Sequence, residues 1–182
     1  MGTIRVYTKQ DRAVLQRLRQ DGRYAPRRQE ILRNEDASLM QRAYDWLAEA
    51  LPRQHRPADA DYPVWLSFRA DTAMLPTPGS CLMELEVDEA LVTRIHVAKW
   101  GMINNCSYLP LDEADARRHA KKMSQMGVSD VKACTTPFYP ELRREIEQSW
   151  DRLFDDRIQP GGPLCYGVIW EVRSEWIRKI TE

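Results

Sequence analysis

Glu171 is the one acid in an apolar, aromatic run, Leu164 to Val172, near the end of the chain. A carboxylate there turns to solvent, pairs with a cation such as Arg173, or faces a pocket. Three other groups have types and spacings that could serve a ligand. Tyr7, Thr8 and Gln10 put two hydroxyls and an amide where they can hydrogen-bond an amide-bearing ring, although Thr8, three residues before Asp11, fits a helix cap as well. Trp65 and Ser67 are in phase on one side of a strand, as a stacking site or ordinary core packing would have them. Asn104 and Asn105 follow Trp100 in a stretch that reads as irregular; they offer amide hydrogen bonds or form turns.

Other chemistries find no support. The four cysteines, Cys81, Cys106, Cys134 and Cys165, form no C-x-x-C pair and read as reduced, mostly buried thiols. With His55, His96 and His119 they carry no local signature of thiol catalysis, and three scattered histidines make a poor metal site. No phosphate-loop, dinucleotide-fingerprint or nucleophile-elbow pattern occurs. With 27 basic and 27 acidic residues, no overall field draws the chain to nucleic acid or an anionic membrane. RNA binding would need a local patch, such as Arg17, Arg19, Arg23, Arg27 and Arg28, or Arg117, Arg118, Lys121 and Lys122; helical charge runs of this kind usually serve solubility. No run approaches the length of a membrane span and Met1 to Gln20 has no apolar stretch, so the expected location is the cytoplasm.

The elements that must position these residues follow from periodicity. Thr3 to Tyr7 alternates as a short first strand, and a helix with Val14, Leu15 and Leu18 on one stripe stops at Gly22. Tyr24 to Asn34 reads as a basic connection. From Asp36 a helix carries Leu39, Met40, Ala43, Tyr44, Leu47 and Leu51 up to Pro52. Arg53 to Asp61, which follows Pro52 and contains Pro57 and several charges, is a surface loop. Val64 to Phe68 and Cys81 to Val87 are strands, expected to be neighbours, and Leu91 to Val97 is a strand or a turn. Asp112 to Met126 is a charged, exposed helix ended by Gly127. Tyr139 to Asp155 is a helix with a firm apolar face, Leu142, Ile146, Trp150, Leu153 and Phe154. A Gly161-Gly162 turn leads into the closing strand, and a last turn and strand run from Ser174 to Thr181.

Several of these motifs, taken in order, resemble one family. Tyr7-Thr8-x-Gln10, Tyr44-Asp45-Trp46-Leu47, Tyr62-Pro63-Val64-Trp65, Glu84-Leu85-Glu86-Val87, Trp100 with Asn104-Asn105, Ser149-Trp150-x-x-Leu153-Phe154-Asp155 and Trp170-Glu171 are similar over nearly the whole chain to an uncharacterised bacterial family, a domain of unknown function. That resemblance implies no activity. A second one lies at the level of fold. An opening strand, a helix running into Gly22-x-Tyr24, a central strand with an aromatic and a Ser, and a late strand bearing a Glu resemble in order the ADP-ribosyltransferase superfamily. It implies an NAD cofactor held by the first strand and the segment after it, and a late Glu that orients the ribose and steadies its developing positive charge.

The expected fold is α+β, a single domain over residues 1–182 with a mixed, mainly antiparallel sheet flanked by about four helices, which the second resemblance implies is ADP-ribosyltransferase-like. Two functions are carried forward. One is an NAD-dependent transferase acting on an unknown target, with Glu171 catalytic and Tyr7, Thr8, Gln10, Trp65, Ser67, Asn104 and Asn105 around the cofactor. The other is a non-enzymatic module that binds a small ligand or a protein.

Overall fold

Nine residues of unbroken strand, Thr3–Asp11 (β1), open the computed structural model, which describes residues 2–31 and 37–182. The strand is longer than the alternation of Thr3 to Tyr7 predicts, and Thr8 and Gln10 lie within it. The helix Arg12–Asp21 (α1) therefore starts after Asp11, not after Thr8, and no side chain caps it. The capping expected of Thr8 is overturned because its hydroxyl is used elsewhere, donating to the carbonyl of Trp65 at 2.8 Å. Gly22 ends α1 in the left-handed conformation, φ 74°, with its N–H on the carbonyl of Leu18.

The chain divides into two compact units that alternate along the sequence. The first is Met1–Arg33, Leu51–Arg94 and Cys165–Glu182. After α1 it holds a two-residue strand, Arg23–Tyr24 (β2), and one helical turn, Arg28–Ile31 (α2), where the sequence suggests an irregular connection. The end of that connection at Asn34, the helix start at Asp36 and the side chain of Leu39 lie outside what is described. Val64–Leu66 (β3) and Ser80–Asp88 (β4) follow, and Thr93–His96 (β5) carries the chain out of the unit. Cys165–Ile169 (β6), Val172–Arg173 (β7) and Ile177–Thr181 (β8) bring it back and close it.

β4 lies antiparallel between β1 and β8, with Thr3↔Asp88 through Asp11↔Ser80 in unbroken register on the β1 side. Cys81, Met83, Leu85 and Val87 point into the core while Leu82, Glu84 and Glu86 take the other face, the alternation read from the sequence. β3 pairs with β6, Val64↔Ile169 to Leu66↔Gly167. It does not pair with β4, as two strands joined by one loop were expected to. β1 occupies that edge of β4, and the chain after β3 meets β1 instead, through two backbone hydrogen bonds of 2.7 and 2.8 Å between Tyr7 and Ser67.

The closing strand is two strands. β6 pairs with β3 and β7 pairs with β2, and Trp170 and Glu171 form the bend between them. Val172 and Ile169 remain in the core on either side of the bend.

The second unit, Asn34–Ala50 and Ile95–Leu164, is helical. It contains Ala37–Ala50 (α3), Val97–Asn104 (α4), Glu113–Met126 (α5), Asp130–Thr135 (α6) and Pro140–Ser149 (α7), with a tighter helical turn over Trp150–Phe154. α4 stands where Lys99 to Leu109 reads as irregular. His96 caps its first turn, and Lys99 is drawn inward, its ammonium donating to the carbonyls of Arg152, Leu153 and Asp155 at 3.0, 3.3 and 2.7 Å. A charged residue so used leaves no apolar periodicity to read. α5 is ended by Gly127 as expected, and Asp112, where the helix was expected to begin, caps it instead; it is not wholly exposed, because His119 and Met123 are buried.

The architecture is α+β with mainly antiparallel sheets. Among the described residues there are seven α-helices, more than the four or so expected, because α2, α4 and α6 are too short for helical periodicity to show. None is long and apolar enough to cross a membrane.

Gly167 on β6 packs where no larger residue fits: a Cβ built there would lie 2.8 Å from Val92 Cγ1 and 3.1 Å from the Phe68 ring. Gly167→Ala is expected to cost about 1–3 kcal/mol, read as a lower urea midpoint with an unchanged m-value.

Candidate functional site

The bend at Glu171 determines where its carboxylate goes. β7 and β2 are so registered that Arg173 stands directly opposite Arg23, a like-charge cross-strand pair that would be unfavourable by itself. Glu171 resolves it. Arg23 Nε donates to Oε2 at 3.0 Å and Arg173 Nε donates to Oε1 at 2.7 Å, so both oxygens of one nearly buried carboxylate are shared between the two guanidiniums. Of the three environments the sequence left open, Glu171 has two at once: it pairs with cations, and it lines a cleft of about 690 Å³.

Three arginines, Arg23, Arg56 and Arg173, and two tryptophans, Trp170 and Trp176, also line this cleft. The Trp170 indole N–H is tied to the carbonyl of Pro52 at 3.1 Å, and the Arg56 guanidinium lies over its ring, 4.5 Å from the centroid. Arg56 is itself held, donating to the carbonyls of Ala60 and Asp61. Arg173 lies over Trp176 at 5.6 Å. Asp59 occupies the far edge of Arg23, its carboxylate accepting from Nη2 at 2.9 Å and from Nη1 at 3.2 Å. That bond holds Asp59 below the usual carboxylate range and, ahead of the contribution of Glu171, raises the Arg23 guanidinium.

A second cleft, of about 490 Å³, lies along α1 and is lined by Gln10, Arg17, Tyr24 and Glu30, among others. Here the Tyr24 hydroxyl donates to Glu30 at 3.3 Å while Arg17 pairs with the same acid. Burial, followed by the charge of Glu30, pushes the Tyr24 phenol up to about 12.

The residues singled out from the sequence gather at three places. Tyr7, Thr8, Gln10, Trp65 and Ser67 do come together: the Gln10 amide donates to the Thr8 hydroxyl, Thr8 to the Trp65 carbonyl, and Tyr7 and Ser67 share a backbone bridge. Their polar groups serve one another, and the Ser67 hydroxyl is spent on Arg69 O and Thr72. None of the five lines the Glu171 cleft. The β3–β6 register is consistent with this, for Trp65 faces Val168 within β6, whereas Glu171 lies past the end of that strand, beyond the bend. Asn104 and Asn105 belong to the second unit. Asn105 ends α4, its side-chain amide donating to Gly101 O at 2.7 Å, and the Asn104 carbonyl oxygen is buried with no hydrogen-bond partner among the described residues. Trp100 packs edge-on against Tyr44.

Sequence reasoning missed Arg23, Arg56, Asp59 and Trp176. Arg23 carried a signal only as one of a basic run, and Arg56 and Asp59 lie beside Pro57 in a loop whose composition advertises a turn and nothing more. Among the described residues no three His, Cys, Asp or Glu side chains converge as metal ligands.

A family model described as a domain of unknown function, DUF3841, matches residues 5–178. The chain belongs to the DUF3841 family. The match runs through both units, so this DUF3841 chain carries the cleft and the helical unit within one family pattern. No curated protein and no solved structure matches it.

Two measurements test the geometry. Glu171→Gln leaves opposed guanidiniums around a neutral amide and is expected to cost about 1–2 kcal/mol, between the values for exposed and buried pairs, seen as a fall in melting temperature that Glu171→Asp only partly reproduces. Tyr24, with its folded pKa raised from the ordinary 10.0 to about 12, stabilises the fold fully below pH 10 and loses that contribution as pH rises from 10 through 12. The stability difference between wild type and Tyr24→Phe is therefore expected to be constant to about pH 9 and to change progressively above 10.

Proposed function

We propose that this DUF3841 chain binds a small anionic ligand carrying a flat ring, of the nucleotide class, in the cleft around Glu171. One observation carries the reading: the cleft combines a guanidinium laid flat on an indole, Arg56 on Trp170, with two further arginines fixed in direction by a single carboxylate. A guanidinium backed by a ring offers a planar, cationic face on which a base can stack, and because Arg56 is already tied to two carbonyls little ordering remains to be done on binding. Glu171 acts as a positioning residue here. It aims Arg23 and Arg173 and need not touch the ligand.

The second reading, an NAD-dependent ADP-ribosyltransferase with Glu171 as its catalytic carboxylate, is favoured by one feature, the presence of that acid in a cleft at the end of β6. It asks more of Glu171. A carboxylate that steadies a developing oxocarbenium ion must turn an oxygen toward it, and here each oxygen already accepts a hydrogen bond from an arginine, so its direction and part of its charge are committed to the guanidiniums.

Calorimetry with adenosine, AMP and NAD is the test. AMP and NAD are expected to bind and adenosine to bind at least tenfold more weakly; Arg56→Lys, which keeps the charge and loses the flat face, is expected to weaken AMP about fivefold. Absence of AMP and NAD binding at millimolar concentration ends the reading. Nicotinamide release from NAD by wild type with the ADP-ribosyl group recovered on a target by intact mass, both abolished in Glu171→Gln, would instead establish the transferase.

A further inference from the structure

The Arg23 guanidinium has two edges, and the fold treats them differently. Its Nε is held by Glu171, a nearly buried acid on the body of the unit, and its Nη1–Nη2 edge is held by Asp59, an exposed acid on a loop. The loop is pinned at its base. Arg56 donates to the carbonyls of Ala60 and Asp61, and Asp61 N–H donates to the carbonyl of Pro26 at 3.0 Å. Asp59 stands at the turn between, where Ala60 N–H bonds back to Pro57 O, and its side chain can leave Arg23 while the base stays in place.

The position of the pair adds a second argument. Arg23 and Asp59 line the cleft around Glu171 and also a neighbouring one of about 530 Å³ that contains Arg17 and Arg27, so the ion pair stands where the two clefts meet. Both side chains are about two-fifths exposed, at 40% and 43%, and an ion pair so exposed to water is worth little. A phosphate offers the same two-oxygen geometry as a carboxylate with more charge, and a guanidinium already fixed at Nε gives it a preset fork.

We infer that the Nη1–Nη2 edge of Arg23 is the anion subsite of this cleft, taking a phosphate group of the ligand, and that Asp59 is its internal occupant, displaced when the ligand enters. The inference rests on the reading of the cleft as a site for an anionic ligand and adds which group receives the anion and what holds its place. Glu171 keeps the fork aimed, Asp59 screens it, and only an anion that binds Arg23 through two oxygens displaces the aspartate. A neutral ring does not.

The probe is inorganic phosphate, followed by calorimetry and by tryptophan fluorescence. Asp59→Asn is expected to tighten phosphate binding at least fivefold over wild type. Asp71→Asn, which breaks a similar exposed pair with Arg69, serves as the control and is expected to change nothing, since that pair lies outside these clefts. Arg23→Lys in the Asp59→Asn background keeps the charge, loses the two-nitrogen edge and is expected to abolish the gain. A gain of less than twofold in Asp59→Asn, an equal gain in Asp71→Asn, or a gain that survives Arg23→Lys overturns the subsite. Should AMP bind with dependence on Arg56 while Asp59→Asn gains nothing, the subsite alone falls. Phosphate binding that follows the expected pattern with no nucleotide binding at all upholds the subsite and removes the nucleotide reading.

Discussion

Two arginines stand opposite each other across a ladder only two residues long, and one carboxylate keeps them there. The Arg23–Glu171–Arg173 bridge lies where the chain leaves the sheet of β3 and β6 and enters the pairing of β2 and β7. A two-residue ladder has few hydrogen bonds of its own; the buried pair Tyr24 and Val172, the Ser174 N–H on Gly22 O at 2.9 Å and the shared carboxylate together hold β7 against β2. The bend has a further consequence. It turns the side chain of residue 171 away from the alternation of β6 and toward the guanidiniums, and it brings Trp170 within reach of Arg56. The charge pairing, the bend and the cleft are one arrangement.

How much of this was legible depended on range along the chain. The inward residues of β4, the Gly22 and Gly127 stops, and the buried Leu142 and Ile146 of α7 follow from local pattern, and the structure has them; the expected helix to Asp155 gives way at Trp150 to a tighter turn whose Phe154 is exposed. Glu171 was conspicuous as one acid in an apolar run, and Arg173 was visible two residues away. Arg23 was not, because it lies 148 residues from its partner, and no periodicity reports a contact at that separation. The break in the closing strand was hidden for a related reason. Both halves are apolar and β-prone, so the run reads as continuous; only the identity of the pairing partners, β3 for one half and β2 for the other, divides it.

The helical unit hid its polar interior in the same way. Tyr108 stacks on His119 with ring centroids 4.0 Å apart, its hydroxyl donates to Asp115, and Arg118 and Arg152 close on the same acid. Burial opposes the Asp115 charge, yet the Leu111 amide, Arg118 and the Tyr108 hydroxyl together hold the carboxyl well below the usual range. His119 meets Asp130 through Nε2 at 2.8 Å. A helix whose buried positions include a histidine looks exposed throughout when only apolar residues are counted, which is why α5 read as a solvated face.

The same long-range pairing bears on what Glu171 can do. A carboxylate becomes a catalytic group through a lone pair left over, or a proton to exchange, at the place where the substrate reacts. The Glu171 carboxylate lies between two guanidiniums, each oxygen accepting one hydrogen bond from an arginine, so its charge is shared with the groups whose direction it sets. The arginines are shared in turn: Arg23 gives its Nε to Glu171 and its Nη1 and Nη2 to Asp59. One acid of the body and one of a loop therefore meet on a single guanidinium, and the loop that carries Asp59 is itself tied down by the Arg56 donation to Ala60 O and by Asp61 N–H on Pro26 O.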